Sequence, residues 1–199
     1  MNQGATFVKN YFLREWTRID RNQDVFTILP DEKDMSKVLV LFTFTKEITE
    51  TFNGLQLVFQ IILSEEHPYK PPSIKTLTPN ARTKYSELLC IDGLTAYHPE
   101  SWKPISTFRS IIDRFIATFI DTTIESGVGF YKSFDEVLNT LCISESKEWN
   151  YINYPELVEL YKNQCEEFQT QQMFEKICIE KQVENNYDDC EQYIYSDEE

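Results

Sequence analysis

Cys90 is the residue of this chain best suited to nucleophilic chemistry. It lies in "YSELLCIDGLTAYHPESWKP", residues 85–104, with His98 eight positions later. A thiolate is a strong nucleophile, and an imidazole can serve as a base. Each residue also has a plainer reading. A lone Cys among apolar neighbours is usually a core residue. A Cys–His protease pair draws on distant chain segments, whereas these two lie close together. His98 therefore reads as a loop-shaping or site-edge group. The other histidine, His67, sits in the proline-rich turn "HPYKPPS".

The elements that must position Cys90 are legible in the pattern. "TFVKNYFLREWTRI" places Phe7, Tyr11, Phe12, Trp16 and Ile19 at helical spacing, with Lys9, Arg14 and Arg18 among them. Three runs rich in Val, Ile, Phe and Thr follow: "DVFTILP", "SKVLVLFTFT" and "GLQLVFQIIL". "PPSIKTL" supplies a short fourth. Their short connections predict an antiparallel meander rather than βαβ crossovers. Residues 78–104 have little periodicity, and an ordered loop of that length in a compact domain is commonly functional. "STFRSIIDRFIATFID" then predicts a helix capped by Ser106, with Phe108, Ile111, Ile112, Phe115, Ile116 and Phe119 on its apolar face. "SFDEVLNTLC" and "YPELVELYKNQCEEFQTQQMFEKICIEK" predict further helices. The order gives an α+β fold: an N-terminal helix, a four-stranded antiparallel meander, a long loop, a central helix and C-terminal helices.

Composition narrows the function classes. The 199 residues fit one domain of average size plus an extension. Net charge is −14, but residues 1–150 carry 20 acidic and 16 basic side chains against 13 and 3 in residues 151–199. The balance argues against a general nucleic-acid binder, which needs clustered Lys and Arg. Five cysteines with no C-x-x-C pair argue against a disulfide framework or a structural zinc site. The first residues lack the apolar core of a signal peptide, and no run approaches the ~18 apolar residues of a membrane span. A reducing compartment is expected, with the protein soluble in cytoplasm or nucleus. The division expected is a core over residues 1–150, a helical extension over 151–181 and an acidic, disordered tail over 182–199.

Several motifs occur in a definite order: "HPYKPPS" after the third strand, "TPN" after the fourth, Cys90 ten residues after Asn80, then "HPESWKP" and the apolar helix. In this order the chain resembles the ubiquitin-conjugating enzymes, across residues 7–150 in element order and 52–121 in motif detail. It is most similar to their J-type, endoplasmic-reticulum branch, which has a Thr-x-Asn sequence ahead of the Cys and a His-Pro-Glu-Thr-Trp-x-Pro-like loop. "ESGVG", residues 125–129, resembles a further stretch of that branch. The chain departs from it in having "ART" where Gly-Arg-Phe is usual, and an acidic tail where a membrane anchor is usual.

The resemblance implies that Cys90 accepts ubiquitin as a thioester from the activating enzyme and passes it to a substrate lysine, generally with a ubiquitin ligase. It implies no bound cofactor, ATP being used by the activating enzyme. Asn80 would donate a hydrogen bond to the oxyanion or to the loop shaping the site; a turn Asn after Pro79 is the plainer reading. One oxyanion donor is worth ~3 kcal/mol in acyl transfer. Glu87, Asp92 or Glu125 would assist deprotonation of the incoming amine. Tyr69, Trp102, Pro104 and Ile105 correspond to loops that meet ligases, with Trp102 the packing anchor among them. Lys9 and Arg14 lie where the activating enzyme binds. The alternative is a non-catalytic ubiquitin- or ligase-binding module on the same fold.

Overall fold

Two-residue alternation of apolar side chains organises the sheet. The computed structural model describes residues 25–104, 107–123 and 127–170. The expected N-terminal helix and acidic tail lie outside these. Four strands, β1 (Phe26–Pro30), β2 (Lys37–Thr43), β3 (Gln56–Ile62) and β4 (Ser73–Thr76), pair antiparallel in chain order, as the short connections require. Val40 of β2 faces Ile28 of β1 and Phe59 of β3, so apolar residues in register line one face of the sheet. Leu41, one residue on, points to the other face and pairs with Val58.

Helix α1 (Phe108–Ile120) covers the first face. All six residues expected on its apolar side are buried. Phe115 lies 4.4 Å from Phe59 between ring centroids, and Phe119 packs on Phe44 and Phe52 at 5.4 and 5.0 Å. Its N-cap is Thr107 rather than Ser106. The reason is reciprocal hydrogen bonding: Ser110 N–H donates to Thr107 Oγ1, and Thr107 N–H donates to Ser110 Oγ. A cap at position 106 would place Arg109, which has no acceptor oxygen, where the returning bond is made.

The second sheet face is covered by a helix over residues 155–170, here α3. Leu157, Val158 and Tyr161 pack against Leu41, Val58 and Leu77. Before it, α2 (Glu136–Asn153) is capped by Asp135, whose Oδ1 accepts from Leu138 N–H.

Helix α2 is nearly twice the length of the helix expected at "SFDEVLNTLC", and its inward face explains why periodicity does not show the part beyond Cys142. Its buried residues are Asn139, Ser146 and Asn150, all polar. Asn139 Nδ2 donates to Thr51 O at 2.7 Å, and Ser146 Oγ accepts from Gln56 N–H at 3.1 Å. Asn150 Nδ2 donates to Gln56 O at 2.8 Å, while its Oδ1 accepts from the Thr78 hydroxyl at 2.6 Å. The same Thr78 oxygen accepts from Val58 N–H. These bonds tie α2 to the end of β3 and to the residues that open the long loop.

Removing Asn150 takes away the acceptor of the buried Thr78 hydroxyl proton and the donor to the half-buried Gln56 carbonyl. Asn150→Ala should lower the unfolding free energy by about 2–3 kcal/mol in urea titrations. Combined with Thr78→Val, the loss should be smaller than the sum of the single losses, because both act on one network.

Candidate active site

Cys90 is set in an extended segment held on both sides. Along one side, Ser86 N–H donates to Thr76 O and Leu89 N–H to Ile74 O, with Leu88 bridged to Lys75, so the segment follows β4. Along the other, Cys90 N–H donates to Val128 O at 2.9 Å and Lys84 N–H to Gly129 O at 2.8 Å, with Thr83 bridged to Phe130. Leu89 and Ile91 point into the core. Alternation along an extended chain then turns Leu88 and Cys90 outward. Cys90 is half-buried and unpaired with any other Cys among the described residues. The apolar neighbours that made Cys90 look like core are thus the residues that face it away from the core.

Glycine at 129 permits this pairing, and glycine at 127 lies against the cysteine. The 127–130 segment lies so close to Cys90 that a Cβ on Gly127 would stand 3.1 Å from both Cys90 Cβ and Sγ. Gly129 has φ +86°, and a Cβ there would lie 2.6 Å from Leu88 O. Beyond the cysteine, Gly93 (φ +63°) leaves room for Arg114 of α1, whose Nη2 reaches Asp92 O at 3.5 Å. Before it, Ser86 adopts φ 61°, an uncommon conformation for a residue other than glycine, at the turn into the segment.

Asn80 is buried at 4 % exposure, and its carboxamide holds the start of the loop. Its Oδ1 accepts from the backbone N–H groups of Arg82 and Thr83 at 2.9 and 2.7 Å. Its Nδ2 donates to Thr78 O and Thr83 Oγ1, both at 2.9 Å. Thr83 Oγ1 also bonds Thr76 Oγ1 of β4. Arg82 is buried as well: its Nη2 donates to Asp121 O at the end of α1, and its guanidinium lies 5.1 Å over the Phe130 ring. Burial lowers the Arg82 pKa, and the nearby Asp121 opposes that shift. In this geometry the Asn80 amide is used in shaping the loop.

His98 stands before a 3₁₀ turn (Pro99–Ser101) and pairs through Nδ1 with Glu100 at 3.3 Å. No hydrogen bond joins it to Cys90 among the described residues. Of the acidic candidates, Glu87 pairs with Lys84 at 3.4 Å, and Asp92 is exposed. Trp102 is buried; its Nε1 donates to Pro68 O at 2.7 Å, and its ring lies 5.9 Å from that of His67. It clasps the "HPYKPPS" turn to the "HPESWKP" loop. Tyr69, 74 % exposed, and Pro104, also exposed, project from the clasped loops. Ile105, Lys9, Arg14 and Glu125 lie outside the described residues. Among the described residues no group of three or more His, Cys, Asp or Glu is placed to hold a metal ion, and no helix is long and apolar enough to cross a membrane.

No protein-family model matches the chain. Ubiquitin-conjugating enzyme E2 6 of Eremothecium gossypii is 30 % identical over 114 residues, covering 54 % of this chain and 46 % of that protein. Ubiquitin-conjugating enzyme E2 J2 of Bos taurus is 34 % identical over 62 residues, 31 % of this chain and 24 % of that protein. Its relatives are ubiquitin-conjugating enzymes. The chain spans under half the length of these curated relatives. A solved structure described as a novel ubiquitin-conjugating enzyme superposes with a TM-score of 0.51 at 18 % identity, over 84 % of this chain and 99 % of that one. The α+β architecture is therefore the ubiquitin-conjugating fold.

Several residues that build the site carried a weak signal in the sequence. The chain has five glycines, and three of them, Gly93, Gly127 and Gly129, border the cysteine segment. That scarcity was the available clue. Arg82 gave no such clue, because its anchoring on Asp121 and Phe130 joins segments far apart in sequence.

The buried His67 gives the clasp a pH dependence. Burial lowers its pKa to about 4 from 6.5, and a backbone interaction at Lys70 opposes the shift only in part. The unfolded chain therefore takes up the proton first. Stability is complete above about pH 6.5, falls with pH, and has lost this contribution, up to about 3 kcal/mol, near pH 4. His67→Phe should show a shallower fall across that window in urea titrations at successive pH values.

Proposed function

We propose that this protein is a ubiquitin-conjugating enzyme carrying the modifier on Cys90. One observation carries the reading: a half-buried cysteine, fixed by backbone hydrogen bonds on both sides, at the centre of a long loop ordered by its own polar network. The sequence likeness to enzymes of that name supports it. The Cys90 thiolate attacks the carbonyl carbon of the thioester on the activating enzyme. A new Sγ–acyl bond forms, the old C–S bond breaks, and the activating enzyme's sulfur leaves as thiolate. A lysine amine of the substrate then attacks the Cys90 thioester, loses its proton, and releases the Cys90 thiolate. Sulfur serves as nucleophile in the first step and leaving group in the second, so the carrier stays activated.

The surrounding groups take supporting roles in this reading. Asn80 acts by holding residues 82–83 in place, and Asp92 and Glu87 are candidates to accept the amine proton. Tyr69 and Pro104 form the ligase-facing surface, Trp102 sets its shape from beneath, and Ile105 is a further candidate for ligase contact. Orientation of reacting groups supplies several kcal/mol of barrier lowering in such transfers. Ubiquitin, its activating enzyme, a ligase and a protein substrate are the partners this reading requires. Lys9 and Arg14 are its candidates for contact with the activating enzyme.

Charging separates a carrier from a binding module on the same fold. With activating enzyme, ubiquitin and ATP, a non-reducing gel should show a thiol-sensitive adduct. Cys90→Ala should abolish it, and Cys90→Ser should convert it to a thiol-resistant oxyester. Absence of any adduct under conditions that charge a known carrier would leave the binding module as the function.

A further inference from the structure

We propose that Gly127 is a positioning residue for Cys90: its lack of a side chain keeps one flank of the thiol open to the acyl group. The inference rests on the reading of Cys90 as the carrier. Cys90 N–H donates to Val128 O, which draws Gly127 against the cysteine. A Cβ at 127 would stand 3.1 Å from Cys90 Cβ, 3.1 Å from Sγ and 3.4 Å from Cys90 O. Carbon contacts settle at about 3.5–4.0 Å, so a methyl group would occupy the space beside the sulfur or push Sγ to another rotamer.

The backbone at Gly127 makes no such demand. Gly54, Gly93 and Gly129 have positive φ; Gly127 does not. An alanine there costs no left-handed strain, and the tight contacts its Cβ would meet all belong to Cys90. Gly129 is the contrast: its φ of +86° and its approach to Leu88 O are requirements of the chain path itself. The opening also has an apolar border. Leu88, on the same side of the extended segment as Cys90, is 41 % exposed, and Val128 is 55 % exposed. In the transfer the Sγ–acyl bond forms before the activating enzyme's thiolate departs. Until it departs, the carbonyl carbon carries two sulfur substituents and an oxyanion, and the side chain missing at 127 leaves space next to the attacking sulfur.

The test uses the full chain with Gly127→Ala and Gly127→Val. Iodoacetamide alkylation is followed at each Cys by peptide mass mapping across pH, beside melting temperature and the steady-state kinetics of charging. Alkylation at Cys90 should fall about tenfold in the alanine variant and further in the valine variant. The fall should be equal at all pH values, with the midpoint of the profile unmoved. Alkylation at Cys142 and the melting temperature should hold. For charging, kcat should fall while KM for this protein stays constant. Unchanged alkylation at Cys90 in the valine variant would overturn the proposal. So would a lowered melting temperature in the alanine variant, or a fall shared by Cys142, since either marks a general structural role. Failure of the unsubstituted protein to be charged defeats the carrier reading instead, and the alkylation rates still report whether Gly127 governs access to the thiol.

Discussion

The backbone pairing of residues 88–90 between β4 and the 127–130 segment is the constraint on which the site depends. A loop running from residue 78 to 104 would ordinarily sample many conformations, and fixing each residue costs roughly 1–2 kcal/mol of backbone entropy. Here hydrogen bonds from Leu89 to Ile74 and from Cys90 to Val128 make the middle of that loop behave as an added strand. The pairing is possible because residue 129 is glycine. A side chain at 129 would strike the carbonyl of Leu88. Once paired, the segment has a strand's alternation. Leu89 and Ile91 enter the core, and the cysteine between them does not.

A second, wholly polar layer connects that segment to the rest of the molecule. Asn80, Thr83, Thr76, Thr78 and Asn150 form a run of buried hydrogen bonds from the loop through β4 to α2. Within it the Asn80 carboxamide has both polar atoms engaged, which is the condition under which a buried polar network rigidifies rather than destabilises. The cost of such an arrangement is that no member can be removed alone. Its benefit is directional: hydrophobic contacts would bury the same area but would not fix where the 82–83 backbone points. Arg82 adds a further anchor, joining the loop to the end of α1 and to Phe130 beside the glycine segment.

The sheet and the central helix were legible in the sequence, because period-two and period-3.6 apolar patterns report burial directly. The strand runs end within a residue or two of the observed β1 to β4, and every expected apolar residue of α1 is buried. What pattern reading could not deliver was contact between distant polar residues. Asn139, Ser146 and Asn150 are buried by hydrogen bonding, so α2 extended well beyond the helix that "SFDEVLNTLC" announced. The displaced N-cap of α1 has the same origin, since a serine three residues on decides between neighbouring hydroxyl residues. The approach of Gly127 to Cys90 left no periodic signature, because it depends on two chain segments meeting.

The clasp at Trp102 shows how exposed side chains are positioned by a residue buried beneath them. Loops that must present aromatic and proline side chains to another protein lose affinity if binding has to order them first. The indole N–H of Trp102 holds the carbonyl of Pro68, and its ring packs near the buried His67, so the two loops are fixed against each other from below. Tyr69 follows Pro68 directly and is left largely in solvent. Burying one large aromatic ring therefore sets the position of another that is exposed. The division of labour is the one seen at Cys90, where Leu89 and Ile91 take the burial and the residue between them keeps its chemistry at the surface.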